Sequence, residues 1–514
     1  MPRPASVGGQ RPGAPGRWHP LVLIPLALST WAYLPLLRID FYADDLLHLL
    51  NIENGGLRAF LLTPYGGHNL LARNLVFLAS WEAFGLRAPF YFATVLLTHL
   101  LNVALLFGVL RRMTHGGALA CFGAALWGTL PLCLGTLGWY SVYGQVLVAT
   151  ILLVVLHRLA GIAAADGRLP ASEACLWYGL LLVGTTCFGV GIGVASVFPV
   201  VVFLLLPSAW SQPRMRMAWL LLPAVTIGLY FGFRRLYPFI ATVNLAEAIQ
   251  NHAAWRGVGA APPVLAHLLT YSAAAAVLGY FLPKESPSMA AWLAASAFVA
   301  GLALLVVRGE ARSRRLAAAM VVLATGMYLV IAVGRGYTYV LFKLGPAVAG
   351  RTARYHYAGS LPVVILLCLI VEQLGRLPGV RRVPGPLALA CGLGIIVAGM
   401  STVGLTVLDH QATRNYLRRT TETLPTMIRA WPPGATAYVE NDRPPRAMLG
   451  AVLSPIDFPG RAAVFVLLQP SDQFEGRTVR FVEHDPGVVG SHAARPGTRL
   501  GGLLVSPDQV PARP

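Results

Sequence analysis

Charged residues are scarce in this sequence, and lysine is almost absent. Only 12% of the 514 residues are charged, whereas 56% are hydrophobic and the mean hydropathy is +0.63. The only lysines are Lys284 and Lys343, so arginine carries nearly all of the positive charge. A soluble protein cannot bury so much apolar surface. The composition therefore excludes a soluble protein and predicts a polytopic membrane protein.

Cysteine is also rare, and no two cysteines are spaced as a CxxC pair. Cysteine in an apolar stretch behaves as a small hydrophobic residue. The pattern argues against a disulfide framework or a cysteine metal site. We expect no cofactor, and a divalent metal stays an open alternative. All six cysteines lie in apolar stretches: Cys121, Cys133, Cys175, Cys187, Cys368 and Cys391.

The net charge of +19 is unevenly distributed along the chain. From Asp409 onward there are 12 arginines against 10 acidic residues, a balance of only +2. The excess lies in the apolar part, where arginine clusters set the topology and contact lipid phosphates. The charge therefore indicates a membrane partner and no nucleic acid.

Eleven apolar runs are long enough for membrane-spanning helices, which need about 20 residues. Arginine-rich turns fall in alternate loops, and the positive-inside rule places those turns and the N-terminus in the cytoplasm. This topology is self-consistent only if a further apolar stretch, 263–282, does not cross, so we predict that it is re-entrant or interfacial. The predicted spans lie near 19–37, 88–110, 116–135, 142–158, 174–190, 192–207, 218–235, 289–307, 316–334, 358–375 and 386–408.

This topology divides the chain into three parts. Arginines precede the first apolar run and no small-residue cleavage site is evident, so that run is predicted to be an uncleaved signal anchor. A helix and short β-like runs predict an α/β fold for the last part. Those segments are 410–430, 435–440, 462–468 and 477–483. The parts are a disordered cytoplasmic N-terminus (1–18), a transmembrane domain (19–408, first outer loop 38–87) and a small α/β extracytoplasmic domain (409–514).

Two adjacent carboxylates follow the first apolar run, in the stretch YADDLLHLLNIENGG at 42–56. Asp44 and Asp45 precede His48 by about one helical turn. A helix N-cap explains one aspartate but not two. Ionisable groups beside a bilayer are costly, and in a protected cavity they indicate function. Either the two aspartates are solvated and cap an interfacial helix, or one of them acts as a general base that activates a hydroxyl.

Cations also occur on the predicted outer face, where the positive-inside rule expects fewest. The planar guanidinium suits phosphate oxygens, so a cluster facing a carboxylate predicts a lipid phosphate or pyrophosphate ligand. Arg351 and Arg354 would share one face if their segment is helical. The alternative is headgroup anchoring. The outer cations are Arg234, Arg235, Arg256, Arg335, Lys343, Arg351 and Arg354.

Aromatic residues accompany these cations in GWYSVYGQ (138–145) and GRTARYHYAG (350–359). Tyr140, Tyr143 and Tyr355 either line a polar pocket or form part of an interfacial belt. Inside the second span, by contrast, we expect polar side chains to bond neighbouring helices and bind no ligand. Those side chains are His99 and Asn102.

The stretch HNLLARNLVFLASWEAF at 68–84 predicts a helix in the first outer loop. Leu71, Leu75, Leu78 and Trp81 are spaced to share one face of it. Such a helix can lie flat in the membrane interface, with its aromatic residues at headgroup depth.

Residues 70–113, LLARNLVFLASWEAFGLRAPFYFATVLLTHLLNVALLFGVLRRM, resemble a segment of the transmembrane O-mannosyltransferases that carry TPR repeats. Those enzymes belong to the GT-C superfamily of integral-membrane glycosyltransferases. ARYHYAGSLPVVILL at 353–367 is similar to the Arg-Tyr rich start of a late span in that family. The similarity covers 38–210 and 335–370. The chain departs from the family in having no TPR repeats, and CFGVGIGVASVFP (187–199) has no Lys-Glu pair.

The resemblance implies an α-helical GT-C-like glycosyltransferase acting on the extracytoplasmic face of a bacterial inner membrane. The donor would be a polyprenyl-phosphate or polyprenyl-pyrophosphate sugar, and the acceptor a protein, lipid or glycan. Asp44 or Asp45 would be the catalytic base. The donor-phosphate contacts would be Arg351, Arg354, Arg234 and Arg235. The substrate pocket would contain His48, His68, Arg73, Tyr140, Tyr143 and Tyr355.

Two other function classes fit the same residues. A non-enzymatic transporter or flippase of lipid-linked glycans could hold phosphate with these arginines, although internal repeats typical of transporters are absent from the sequence. A scaffold could bind a partner through the C-terminal domain. Replacing Asp44 and Asp45 by Asn separates the classes, since an enzyme loses turnover but keeps its lipid, whereas a scaffold is unaffected.

Overall fold

Long apolar helices dominate the chain. The computed structural model describes residues 19–41, 45, 48–49, 52, 57–62, 64–114, 116–165, 167–237, 245–282, 288–341, 345–377, 385–404, 407, 429, 436–441, 473–474, 477–482, 498–500 and 503–507. The α-helices are α1 (Leu23–Tyr33), α2 (Leu57–Leu62), α3 (Leu71–Phe84), α4 (Ala88–Met113), α5 (Gly117–Gly128), α6 (Leu134–Leu137), α7 (Gly144–Ala164), α8 (Ala171–Cys187), α9 (Gly189–Leu205), α10 (Pro207–Trp210), α11 (Pro213–Leu236), α12 (Leu245–Leu278), α13 (Met289–Arg308), α14 (Ala311–Leu341), α15 (Pro346–Arg351), α16 (Ser360–Leu374) and α17 (Gly385–Gly404). Short 3-10 turns lie at Pro20–Val22, Leu34–Arg38, Pro131–Cys133, Tyr140–Val142, Gly279–Phe281 and Ala353–Tyr355.

Eight helices among the described residues are long and apolar enough to cross a membrane. A ninth candidate is the pair formed by α5 and the segment Pro131–Leu137, which is bent by 45°. Large apolar side chains point outward from these helices; Leu97 and Val307, for example, are 68% and 77% exposed. Such a surface needs lipid around it. The chain is therefore a helical polytopic membrane protein. The eight helices are Pro20–Arg38, Ala88–Met113, Tyr140–Ala164, Pro213–Leu236, Val258–Phe281, Met289–Arg308, Ala311–Gly336 and Gly385–Gly404.

Some predicted span boundaries differ from the structure for identifiable reasons. The run at 116–135 is broken after Gly128 because Leu130, which precedes Pro131, adopts an extended conformation (φ −60°, ψ 129°). The predicted boundary near 191 lies at Phe188 instead, where an extended residue (φ −165°, ψ 157°) separates α8 from α9. Helices α8 and α9 each have 17 residues, and α16 has 15. These three are shorter than the single-span length used for the prediction.

The stretch 263–282 belongs to one long helix, α12, followed by a 3-10 turn. Its part Val258–Phe281 is long and apolar enough to cross. Near its end, the Tyr280 hydroxyl bonds the Thr129 hydroxyl at the break in the bent pair. The length of the helix alone fits either a crossing or a re-entrant segment, so the predicted topology stays a prediction.

The arginine-rich turns that were predicted to share one face lie together in the structure. The Arg112 guanidinium donates to the His157 carbonyl, and Arg312 donates to the Arg112 carbonyl at 3.0 Å. Arg376 forms an ion pair with Glu310 at 2.8 Å. The turns that follow α4, α13 and α16 and the end of α7 therefore meet at one end of the helical bundle, which we call the arginine-turn end.

Five strands are described in the C-terminal part, with the order β2-β3-β1-β5-β4 in one sheet. β1 pairs in parallel with β3 and antiparallel with β5. Two of the predicted β-like runs, 435–440 and 477–483, overlap β1 and β3, whereas 462–468, like 410–428 and 1–18, lies outside the described residues. The assignment of 409–514 as a separate α/β domain stays a prediction. The strands are β1 (Thr436–Asn441), β2 (Gln473–Phe474), β3 (Arg477–Val482), β4 (Thr498–Leu500) and β5 (Leu503–Pro507).

Candidate functional site: a buried acid beside converging arginines

One of the two predicted catalytic acids, Asp45, is completely buried. It has helical backbone geometry and 0% exposure. Its Oδ1 atom accepts two hydrogen bonds from Ser141, from the backbone N–H at 2.6 Å and from the hydroxyl at 2.7 Å. Hydrogen bonds to a carboxylate are about twice as strong as neutral ones, so Ser141 fixes this side chain in place. Asp44 lies outside the described residues.

His48 and Arg73, both predicted pocket residues, form a buried pair. They are 2% and 1% exposed, and the Arg73 guanidinium donates to Nε2 of His48 at 2.9 Å. A guanidinium can only donate, so Nε2 accepts and the proton of the neutral ring is on Nδ1. Burial and the nearby positive charge of Arg73 hold the pKa of His48 well below its usual value. The pair therefore carries one positive charge.

Helix α3 supplies Arg73 through its polar face, which is turned toward the protein. Its buried residues are Arg73, Asn74, Phe77 and Ser80, whereas Leu75 is 49% exposed. On the predicted leucine face, Leu75 is exposed, whereas Leu78 and Trp81 are half-buried against the core. Phe77 follows Arg73 by one turn, and the guanidinium lies over its ring at 5.6 Å.

Aromatic rings enclose the His48–Arg73 pair. The centroid of the His48 ring lies 4.7 Å from Tyr65, 5.6 Å from Phe77 and 6.2 Å from Phe60. Apolar rings around a cation exclude water and strengthen its electrostatic interactions. The charge of Arg73 is therefore held in a dry environment.

A tight turn connects this pair to further arginines. Tyr65 and His68 form a β-bridge around Gly66 and Gly67, whose φ angles are +59° and +82°. Only glycine adopts two such successive angles at little cost. The turn exposes its carbonyls, and the Gly66 carbonyl accepts from Arg335 of α14 at 3.3 Å.

Helix α11 contacts the same turn from another side. The Gly67 carbonyl accepts from the Tyr230 hydroxyl at 2.8 Å and from Arg234 at 3.4 Å. Arg234 also donates to the Tyr230 hydroxyl at 2.7 Å. The predicted donor-phosphate residue Arg234 therefore lies at the site, whereas its neighbour Arg235 is exposed on α11.

Three positive charges surround His68. Burial, followed by the charges of Arg335, Arg234 and Arg73, lowers the pKa of this ring to about 3. The ring stays neutral at physiological pH and adds no repulsion to the cluster. It lies against the ring of Phe188, at a centroid distance of 4.4 Å, in the break between α8 and α9. The turn thus gathers cations from α3, α11 and α14; we call Arg73, Arg234 and Arg335 the arginine cluster.

Tyr355 extends the cluster toward Arg354. Burial opposes ionisation of Tyr355, but the charges of Arg354 and Arg335, together with hydrogen bonds from Tyr339 and Arg354, outweigh it and lower its pKa from the usual value. The Arg354 guanidinium lies 5.4 Å from the Tyr355 ring centroid and 4.9 Å from that of Trp139. The Arg354 carbonyl accepts from Gln145 at 2.7 Å, which ties this loop to the start of α7.

Arg351 and Arg354 do not share a helix. Helix α15 ends at Arg351, Thr352 has an extended ψ of 96°, and Arg354 belongs to the next 3-10 turn. Arg351 is exposed, whereas Arg354 packs on aromatic rings. The expectation of one shared face assumed a continuous helix, and the break at Thr352 prevents it.

Tyr140 and Tyr143 form packed walls behind Asp45. They are 0% and 3% exposed, and their rings stack at 5.2 Å with an interplanar angle of 16°. The Tyr140 hydroxyl bonds the Ser80 hydroxyl at 2.8 Å. These tyrosines reach the site indirectly, because Ser141 between them holds the Asp45 carboxylate.

Inside the second span, His99 and Asn102 make the expected interhelical hydrogen bonds. His99 contacts the Tyr357 hydroxyl at 2.8 Å and the Gly128 carbonyl at 2.9 Å. Asn102 donates to the Val146 carbonyl at 3.1 Å. The predicted hydrogen bonds to neighbouring helices are therefore confirmed.

The sequence does not assign two residues of the site to it. Arg335 is one of several outer cations, and Ser141 gives no signal beyond its place in a polar-aromatic turn. Among the described residues, no group of three His, Cys, Asp or Glu side chains could hold a metal ion. Comparison with known families finds no family model that matches the chain, and no curated protein matches it.

Proposed function

We propose that this protein is a glycosyltransferase that moves a sugar from a polyprenyl-phosphate or polyprenyl-pyrophosphate donor to an acceptor hydroxyl on the extracytoplasmic face of a bacterial inner membrane. One observation carries the proposal: a buried carboxylate lies in the same loop region as arginines drawn from three separate helices. The adjacent pair Asp44 and Asp45 can supply a base, and clustered guanidinium groups bind phosphate. The sequence resemblance to GT-C enzymes supports the same reading.

The acid and the arginines have separate roles in the proposed sugar transfer. A base takes the proton of the acceptor hydroxyl while the acceptor oxygen forms a bond to the anomeric carbon of the sugar. The bond from that carbon to the phosphate oxygen breaks, and the polyprenyl phosphate leaves with the electron pair. Arginines stabilise the negative charge that develops on it.

The two aspartates take different roles in this scheme. Ser141 holds Asp45 by two hydrogen bonds within a fully buried setting, which suits a positioning residue. We therefore assign the base to Asp44. Asp44→Asn should lower turnover by about 10²- to 10⁴-fold, the usual contribution of a general base. Asp45→Asn keeps an oxygen that Ser141 can bond and should cost less.

Arg335 is the best donor-phosphate contact. Its guanidinium donates one hydrogen bond to the Gly66 carbonyl. Because a guanidinium has five N–H donors, others can bind a phosphate. Its charge reaches both His68 and Tyr355, so it lies between the first outer loop and the loop before α16. Arg351, which is exposed at the edge of that loop, would contribute less.

Mass spectrometry of lipids that co-purify with the gently solubilised protein tests the donor. The wild type and Asp44→Asn should both retain a polyprenyl-phosphate sugar, and Arg335→Gln should lose most of it. Arg235→Gln is the matched control, because Arg235 is an exposed neighbour of the cluster. Equal polyprenyl lipid in all four proteins would refute the assigned phosphate contact.

The variant Asp44→Asn also distinguishes the proposed enzyme from the alternative, a flippase of lipid-linked glycans. A transporter has no use for a base, so Asp44→Asn would leave transport in proteoliposomes unchanged. Full sugar transfer by Asp44→Asn would refute the assigned base.

A further inference from the structure

We infer that the arginine-turn end carries a second binding site, for the phosphate group of an anionic membrane lipid. A cleft of about 400 Å³ opens there between the C-terminal end of α4, the end of α7, the α9–α10 junction and the start of α14. Arg112, Arg312 and Arg315 line it. Arg312 and Arg335 lie in the same helix, roughly 35 Å apart at about 1.5 Å per residue, so this cleft is separate from the arginine cluster.

The three arginines of the cleft have no carboxylate partner among the described residues. Other arginines at the same end do: Arg158 pairs with Glu173, and Arg376 pairs with Glu310. Guanidinium groups that line one concave surface repel one another, and a bound anion relieves that repulsion. Phosphate is the anion whose geometry suits several guanidinium groups at once.

Arg112 is held in position before any ligand arrives. Its guanidinium donates to the His157 carbonyl and packs on Gly161 of α7. A Cβ added at Gly161 would lie 3.0 Å from Nη1 of Arg112, so the glycine leaves room for the group. Arg312 donates in turn to the Arg112 carbonyl at 3.0 Å. Groups fixed in this way lose little conformational entropy on binding.

The walls of the cleft favour a lipid over a soluble phosphate compound. Ala163 and Leu204 line it and are only partly buried, and Ala164 is exposed, so acyl chains can lie against them while the headgroup reaches the arginines. Basic pockets between membrane helices are known to take anionic headgroups in this manner. The cleft therefore combines a cationic mouth with an apolar wall.

Native mass spectrometry of the full-length protein in detergent tests the site, with phosphatidylglycerol as the lipid probe and inorganic phosphate as the soluble one. The wild type should bind phosphatidylglycerol, and the double variant Arg312→Gln/Arg315→Gln should bind about thirtyfold more weakly, since each cation near a headgroup contributes a factor of roughly five. Millimolar phosphate should compete poorly. Competition by phosphate as strong as that by lipid would overturn the lipid assignment.

A matched control separates the cleft from general surface charge. Arg308→Gln/Arg314→Gln removes the same charge from exposed residues beside the cleft, and should leave lipid binding within about twofold of wild type. An equal loss in both double variants would overturn the site. Ala163→Phe fills the cleft while keeping every arginine, and it should also abolish binding if the cleft is the site. Unchanged lipid binding in Ala163→Phe would likewise refute it.

Discussion

The two ends of the helical bundle use arginine in different ways. At the arginine-turn end the side chains are exposed, and several are paired with glutamate, as Arg158 is with Glu173. At the other end Arg73 is 1% exposed and bonds a neutral histidine. A buried guanidinium is costly unless its hydrogen bonds are satisfied. The exposed arginines that pair with glutamate are explained by topology, whereas the buried Arg73 needs a structural or functional explanation.

The largest effect should come from Arg73. Arg73→Met keeps the apolar stem but removes the charge-assisted bond to His48, so we expect a loss of about 3 kcal/mol in the free energy of unfolding. Arg158→Met at the other end removes an exposed ion pair and should cost less than about 1 kcal/mol. Equilibrium unfolding in mixed micelles measures both. Equal losses would mean that the two ends do not differ energetically.

Ser141 gives the next largest effect. Ser141→Ala deletes the hydroxyl bond to the Asp45 carboxylate and leaves the backbone N–H bond, with an expected cost of about 2 kcal/mol. Ser80→Ala is the control, because its hydroxyl bonds only neutral groups, the Tyr140 hydroxyl and the Val76 carbonyl, and each neutral bond is worth about 1 kcal/mol. A smaller loss for Ser141→Ala than for Ser80→Ala would show that the Asp45 contact is not charge-assisted.

The contrast between the ends also shows what the sequence could predict. Composition and the length of apolar runs predicted the membrane class, because both depend only on local hydrophobicity. Local hydrophobicity does not predict that Arg335, Arg234 and Arg73 converge, because the three lie on different helices far apart in the chain. The conformation of Phe188 is a similar case, because an extended residue between two apolar helices has no signature in hydropathy.

The geometry of the site is hardest to predict from the sequence where the conformation of a single residue determines it. Arg351 and Arg354 are spaced to share a helix face, but the extended Thr352 separates them. The spacing of Leu71, Leu75, Leu78 and Trp81 predicts one apolar face of α3, but it does not predict that the side with Arg73 is the buried one. Both outcomes depend on tertiary contacts and not on periodicity.

The last expected effect is a pH dependence of stability at the end that carries the arginine cluster. The folded protein keeps His68 and His356 neutral, because burial, with the surrounding arginines in the case of His68, lowers their pKa values to about 3 and about 4. In the unfolded chain both bind protons below a pKa of about 6.5. Stability is therefore complete above pH 6.5 and falls as the pH drops below it, by at most about 1.4 kcal/mol per pH unit for each ring.

His356→Asn and His68→Gln test this dependence separately. His356 accepts from the Tyr328 hydroxyl at 2.9 Å and donates to the Gly350 carbonyl at 2.7 Å, and an asparagine side chain also carries one acceptor and one donor group. Each variant should flatten the fall in unfolding midpoint between pH 6.5 and pH 5, and the double variant should flatten it further. An unchanged slope in the double variant would mean that the rings gain protons in the folded state, and that the arginines around His68 are too well solvated to act on it.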